Sequence, residues 1–170
     1  MLTYCPICKK KTLNFSYHSH KIPYFGEVLE TVVFCNNCNY KHSDVLILEE
    51  KEPAKYILEI TCAEDLNIRV IRSSKGVIKI PELGVTITPG AFCNGFISNV
   101  EGILLRVEEV VKFASSWNKE KAEEILSKIE EIKKGKKKVH LILEDASGNS
   151  VIVSKKVRKE KLEIQEDNQR

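Results

Sequence analysis

The residues most able to do chemistry stand near the start of the chain. Cys5-Pro6-Ile7-Cys8 and Cys35-Asn36-Asn37-Cys38 form two Cys-x-x-Cys pairs with 26 residues between them. A Cys-x-x-Cys turn aims two thiolates at one point, and two such turns close a tetrahedron around one ion at about 2.3 Å per Zn–S bond. Four thiolates leave no open coordination position, so the predicted site is structural and not catalytic. Their softness favours zinc, or iron in a rubredoxin-like arrangement. Redox exchange is the competing chemistry of such a pair. It goes with a single motif beside a βαβ pattern, which this sequence lacks. One structural Zn2+ held by Cys5, Cys8, Cys35 and Cys38 is therefore expected.

The remaining candidates carry weaker signals. His18, His20 and His42 lie near the pairs, but four thiolates already satisfy the ion, so they read as surface residues. Cys62 ends a predicted strand and Cys93 lies in a predicted turn; both read as buried apolar side chains. His140 sits in a predicted strand with no nucleophile near it in sequence. A metal-dependent enzyme would need a second His/carboxylate cluster inside a β barrel, and His140 is the one histidine the predicted strands offer. There is no G-x-x-x-x-G-K-[ST] phosphate loop. The expectation is a protein without enzymatic activity.

The elements that must position the cysteines follow from pattern and punctuation. Residues 1–50 read as a zinc ribbon: Thr31–Phe34 is a β-branched run into the second pair, and Val45–Leu48 leads away from it. A piece of this size ordinarily needs a metal or disulfides to fold. Glu49 to Pro53 reads as a charged linker. Residues 51–160 read as a β domain. Tyr56–Thr61, Ile68–Arg72, Val77–Ile80 and Val85–Thr88 are short strands separated by turns, the spacing of a sandwich or barrel. At about residues 98–134 the period changes to helical. Ser98 is the expected N-cap of a first helix, in a capping box with Glu101, and Ile103, Val107, Val110, Val111 and Ala114 form its apolar stripe. Asn118 is the expected N-cap of a second helix, with Gly135 just past its end. Residues 139–153 return to strands around a turn at Ala146–Asn149, and residues 161–170 read as a flexible charged tail.

Composition bounds the class. The chain has 170 residues, 42% hydrophobic and 30% charged, a folded balance. Its net charge of +3 is too small to mark a nucleic-acid protein by itself. The Lys/Glu/Ile bias is of the kind reported for proteins of hot organisms. Residues 1–20 contain no apolar h-region and no run approaches a membrane span, so a cytoplasmic location is expected.

Several strings together resemble one family. Cys5-x2-Cys8, Lys21-Ile22-Pro23-Tyr24-Phe25-Gly26-Glu27-Val28 and Cys35-x2-Cys38 resemble the ZPR-type zinc finger. Ile80-Pro81-Glu82-Leu83, Val100-Glu101-Gly102 and Leu143 to Ser150 (LEDASGNS) resemble the second module of that family. The resemblance spans about residues 3–155 and implies a zinc ribbon followed by a double-stranded β-helix-like domain with an inserted α-helical hairpin, mainly β overall. Eukaryotic members carry two such units, so this chain resembles the single-unit archaeal form. The resemblance further implies a binding protein: a partner or folding chaperone of translation elongation factor one-alpha. The alternative is an RNA-binding or ribosome-associated adaptor using the basic runs at Lys133–Lys138 and Lys155–Lys161.

Four residues are candidates for partner contact. Pro23, Tyr24 and Phe25 lie on the loop between the cysteine pairs, where a rigid proline beside two aromatics suits an interface anchor. The competing role is packing of the ribbon. Trp117, at the expected hairpin tip, is either an exposed anchor or the plug of the hairpin, with packing favoured. Asp145 to Asn149 reads as a tight turn rather than a recognition loop.

Overall fold

The computed structural model describes residues 3–49, 51–90 and 93–162. The chain divides into two compact units, Met1–Glu50 and Lys51–Arg170.

The first unit is a three-stranded antiparallel sheet in the order β1 (Leu13–Ile22), β2 (Gly26–Cys35), β3 (Lys41–Ile47). The β1–β2 register runs from Leu13 opposite Cys35 to Ile22 opposite Gly26. That leaves Pro23, Tyr24 and Phe25 as a three-residue hairpin loop. Strand β1 has no counterpart among the expected strands. Its alternating Asn14-Phe15-Ser16-Tyr17-His18 carried the signal, but both of its faces are exposed, so no buried stripe marks it. Cys5, Leu13, Val28 and Cys35 are the buried hydrophobic side chains of this unit among the described residues.

The second unit is a two-sheet β fold with a helical hairpin. The strands are β4 (Ala54–Ile60), β5 (Arg69–Arg72), β6 (Val77–Ile80), β7 (Val85–Ile87), β8 (Phe96–Asn99), β9 (Val139–Asp145), β10 (Val151–Val153) and β11 (Arg158–Lys161). One sheet has the order β11-β4-β9-β6-β7 and the other β10-β5-β8. Strict alternation places Tyr56, Leu58 and Ile60 of β4 and Val139, Leu141 and Leu143 of β9 in the core. The pair register Leu58 opposite Leu141 sets these side chains beside one another. The helices α1 (Val100–Ala114) and α2 (Lys119–Lys133) add Ile103, Leu104, Ile129 and Ile132 to the same core. The architecture is mainly β, as the sequence reading expected.

Differences from that reading have local causes. Asn99, not Ser98, caps α1: its side chain accepts the Gly102 amide at 2.8 Å. Asn118 caps α2 as expected, accepting the Lys121 amide at 3.0 Å. Gly135 adopts φ +67° just past α2, the left-handed turn that closes a helix with little strain only at glycine. Val110, expected in the apolar stripe of α1, is exposed, because the core takes the face carrying Val100, Ile103, Leu104 and Val107. Trp117, expected to pack, is 83% exposed, and Phe113 one turn before it is 82% exposed. Lys161, assigned to the tail, pairs in β11 opposite Ala54. An edge strand of alternating charge suits that position, since it discourages pairing with other chains. The rest of the expected tail, residues 163–170, lies outside the described residues.

The Asp145 turn is structural. The Asp145 carboxylate is buried at the inward end of β9 and accepts from Ser73 Oγ at 2.6 Å, Ser147 N at 2.7 Å, Ser147 Oγ at 2.7 Å and Ser150 Oγ. Burial raises its pKa, and these donors outweigh that and hold it below the usual aspartate value. Gly148 at φ +67° completes the turn.

Candidate metal centre

Each cysteine pair sits on a knuckle of the same construction. The Lys9 amide donates to Cys5 O at 2.9 Å and the Asn39 amide donates to Cys35 O at 3.0 Å. Each turn then reverses through a left-handed residue, Lys9 at φ 61° and Asn39 at φ 58°. It is closed by Cys5 N donating to Lys10 O at 2.9 Å and Cys35 N donating to Tyr40 O at 2.8 Å. The first knuckle leads into β1, and the second connects β2 to β3. The β1–β2 pairing of Leu13 with Cys35 therefore brings the knuckles together. Asn36 N donates to Thr12 O at 3.1 Å and Lys10 Nζ donates to Asn37 Oδ1 at 3.0 Å, which ties one knuckle to the other.

The four sulfurs converge, with all ligand atoms within 4.8 Å of one another. Cys5 Sγ is 3.6 Å from Cys38 Sγ, and Cys8 Sγ is 3.7 Å from Cys35 Sγ. A tetrahedron with Zn–S bonds of about 2.3 Å has S···S edges of about 3.8 Å. These cysteines are free thiols rather than disulfides. The spacing fits one zinc ion with four thiolate ligands, and the donor set is the one such an ion takes.

The surroundings favour the thiolate at Cys8 and Cys35. Thr12 Oγ1 lies 3.2 Å from Cys35 Sγ, and this bond holds the Cys35 thiol down at about 6. The Lys10 backbone amide lowers Cys8. At Cys38 the Tyr40 amide acts in the same direction, but burial and the other three sulfurs push this last thiol up to about 12. Four anions this close require a cation among them. Thr12 is the functional residue that sequence reasoning missed. A threonine one residue before a strand carries no distinguishing pattern, and only the β1–β2 pairing sets it against Cys35.

The other candidates are dispersed. His18, His20 and His42 are exposed, and among the described residues the four cysteines are the one His/Cys/Asp/Glu cluster arranged to hold a metal. Cys62 and Cys93 are half-buried, not fully buried as expected, and Cys93 Sγ accepts from Arg72 Nη1 at 3.2 Å. His140 is exposed and pairs through Nδ1 with Glu82 Oε1 at 2.6 Å. Pro23 and Tyr24 are exposed on the β1–β2 loop, and Phe25 is half-buried. The basic runs are largely answered by acids of the same unit. Lys133 pairs with Glu108, Lys134 with Glu130 at 3.5 Å and Lys156 with Asp65 at 2.6 Å. No helix among the described residues is long and apolar enough to cross a membrane.

Comparison with known proteins agrees with this architecture. The family model described as the ZPR1 jelly-roll domain matches residues 64–169. An uncharacterised ZPR1-like protein of Methanocaldococcus jannaschii is 47% identical over 168 residues, covering 95% of this chain and 85% of that protein. An uncharacterised ZPR1-like protein of Pyrococcus horikoshii is 43% identical over 171 residues, covering 95% of this chain and 77% of that protein. The zinc finger chaperone zpr1 of Schizosaccharomyces pombe is 30% identical over 143 residues, covering 79% of this chain but 30% of its own longer length.

Proposed function

The chain belongs to the ZPR1 zinc-finger family, and from that membership we propose that it is a zinc-dependent protein-binding module, acting as partner or folding chaperone of translation elongation factor one-alpha. The observation that carries the binding reading is a closed four-thiolate centre in a unit that leaves large apolar side chains exposed. Tyr4 and Ile7 on the first knuckle and Phe15 and Tyr17 on β1 are 57–75% exposed. A metal with no open position holds this surface in shape and performs no reaction of its own. Large aromatics left in water are the residues that anchor protein interfaces.

Tyr24 supports the same reading. It holds a left-handed backbone at φ 74°, which is unfavourable for an aromatic residue, and it displays its side chain at the tip of a hairpin. In the second unit Trp117 occupies the turn between α1 and α2, exposed beside Phe113. We assign Pro23, Tyr24, Phe25 and Trp117 to partner contact. The elongation factor follows from the family resemblance, and the word chaperone from the name of the fission yeast relative. No catalytic group is assigned, and the setting is cytoplasmic, where that partner works.

A pull-down from cell extract tests the proposal, with the zinc-loaded chain as bait and Cys35→Ser as control. Recovery of elongation factor one-alpha by the loaded bait alone supports it. Recovery of RNA instead, falling steeply with salt, replaces it with the adaptor reading.

A further inference from the structure

Within the second unit an open groove of about 560 Å³ runs between the free edges of the two sheets. Among the described residues β7 bonds to β6 alone and β8 to β5 alone, so each ends its sheet. Val85, Thr86, Ile87 and Thr88 line one side in succession, and Val107 and Val110 of α1 line another. An edge strand that, with the residue after it, presents successive residues to a groove offers its unpaired backbone groups along with its side chains.

The groove also carries an unanswered charge. Arg72 and Arg106 both line it, and they share the Phe96 ring, at 5.3 Å and 4.3 Å from its centroid. Arg72 is 2% exposed. Its Nε donates to Gly76 O at 2.7 Å and its Nη1 donates to Cys93 Sγ, but among the described residues its Nη2 has no hydrogen-bond partner. Among the described residues neither guanidinium forms an ion pair and no aspartate or glutamate lines the groove. A buried, incompletely bonded guanidinium is costly, and a second cation near it adds repulsion. Both terms are relieved by an anionic acceptor.

We propose that this groove is a second binding site, for an extended protein segment that lies along the β7 edge, places an aliphatic side chain against Val107 and Val110, and presents a carboxylate side chain to Arg106 and Arg72. The β7 edge supplies backbone bonds, the valines supply apolar contact, and the arginine pair selects an acidic residue over its amide. The site is built from residues of the second unit and does not depend on the identity of the partner proposed above.

The experiment is selection of a random octapeptide display library on the zinc-loaded full chain. Binders are expected to combine an aliphatic residue with an acidic one and to shift the amide resonances of Val85 to Thr88. Replacing the acidic residue of a binder by its amide is expected to weaken it by about tenfold or more, the effect of losing a charge-assisted bond. Arg106 and Val110 are exposed, so Arg106→Glu and Val110→Asp should leave the chain folded, with Val110→Asp melting as the parent does, and abolish binding. Failure to select any binder overturns the proposal. So do binders lacking an acidic residue, or binders unaffected by Arg106→Glu. A concentration-dependent dimer that Val110→Asp dissolves also overturns it, because the groove would then be covered by a second copy of the chain.

Discussion

At the scale of single residues, Thr12 and Tyr24 show how side chains outside the cysteine motif set the properties of the ribbon. Thr12 stabilises the Cys35 thiolate by a 3.2 Å bond and is held in place by its own carbonyl, which accepts from Asn36. Thr12→Val keeps the shape and removes the bond. It is expected to lower zinc affinity by about tenfold to a hundredfold, the usual effect of losing a bond to a metal ligand, measured by competition with a chromophoric chelator. Tyr24 is the opposite case, a residue the backbone accommodates poorly. Tyr24→Gly relieves the left-handed strain, a cost of about 1–2 kcal/mol. The ribbon should then melt no lower than the parent while elongation-factor binding weakens. A lower melting temperature would assign Tyr24 to packing instead.

At the scale of elements, the hairpin α1–α2 rests on its caps. Asn118 is exposed and its side chain accepts the Lys121 amide, so Asn118→Ala isolates that contribution. It should cost about 1 kcal/mol of stability in denaturant titration, with binding through Trp117 unchanged in a folded sample. Cap positions were nearly legible: Asn118 and Gly135 were found, and the first cap was displaced by one residue because Ser98 and Asn99 are both good caps. Which of them serves depends on where β8 ends, and that is settled by its pairing with β5 through Asn99 opposite Arg69. The exposed faces of α1 were less legible. A helix with apolar residues around most of its surface does not say which stripe the core will take.

At the scale of the whole molecule, the two units have different sources of stability. Two of the four buried hydrophobic side chains described in the ribbon are metal ligands, so removing zinc removes most of what holds it. Chelation is expected to collapse the dispersion of the ribbon amide resonances while those of β4 and β9 persist. Loss of both sets together would show that the β domain also needs the metal. The second unit instead responds to acid through buried carboxylates. Burial acts to raise Asp65, and Lys156 Nζ at 2.6 Å with the Thr61 amide and hydroxyl outweighs it and holds the carboxyl well below its usual range. A carboxyl lowered by folding contributes stability fully above its unfolded pKa of about 3.9, and that contribution is lost as pH falls toward the folded value. The helical far-UV signal of the parent should therefore become less resistant to urea below about pH 4. Asp65→Asn should show a shallower decline, with lower stability at neutral pH.

The sequence by itself determined the metal ligands, the two-part organisation of β elements and the presence of a helical hairpin. Those features depend on local spacing: a Cys-x-x-Cys turn, a period of two or of 3.6, and a cap or glycine at the right offset. Only the tertiary structure decided that Thr12 bonds Cys35, that Trp117 and Phe113 stand in water, that Asp145 is buried under three hydroxyls, and that Arg72 and Arg106 share one ring beside two free sheet edges. Each of these joins residues far apart in sequence or depends on which face another element covers. Chain pairing across sheets sets such contacts, and no local pattern encodes it.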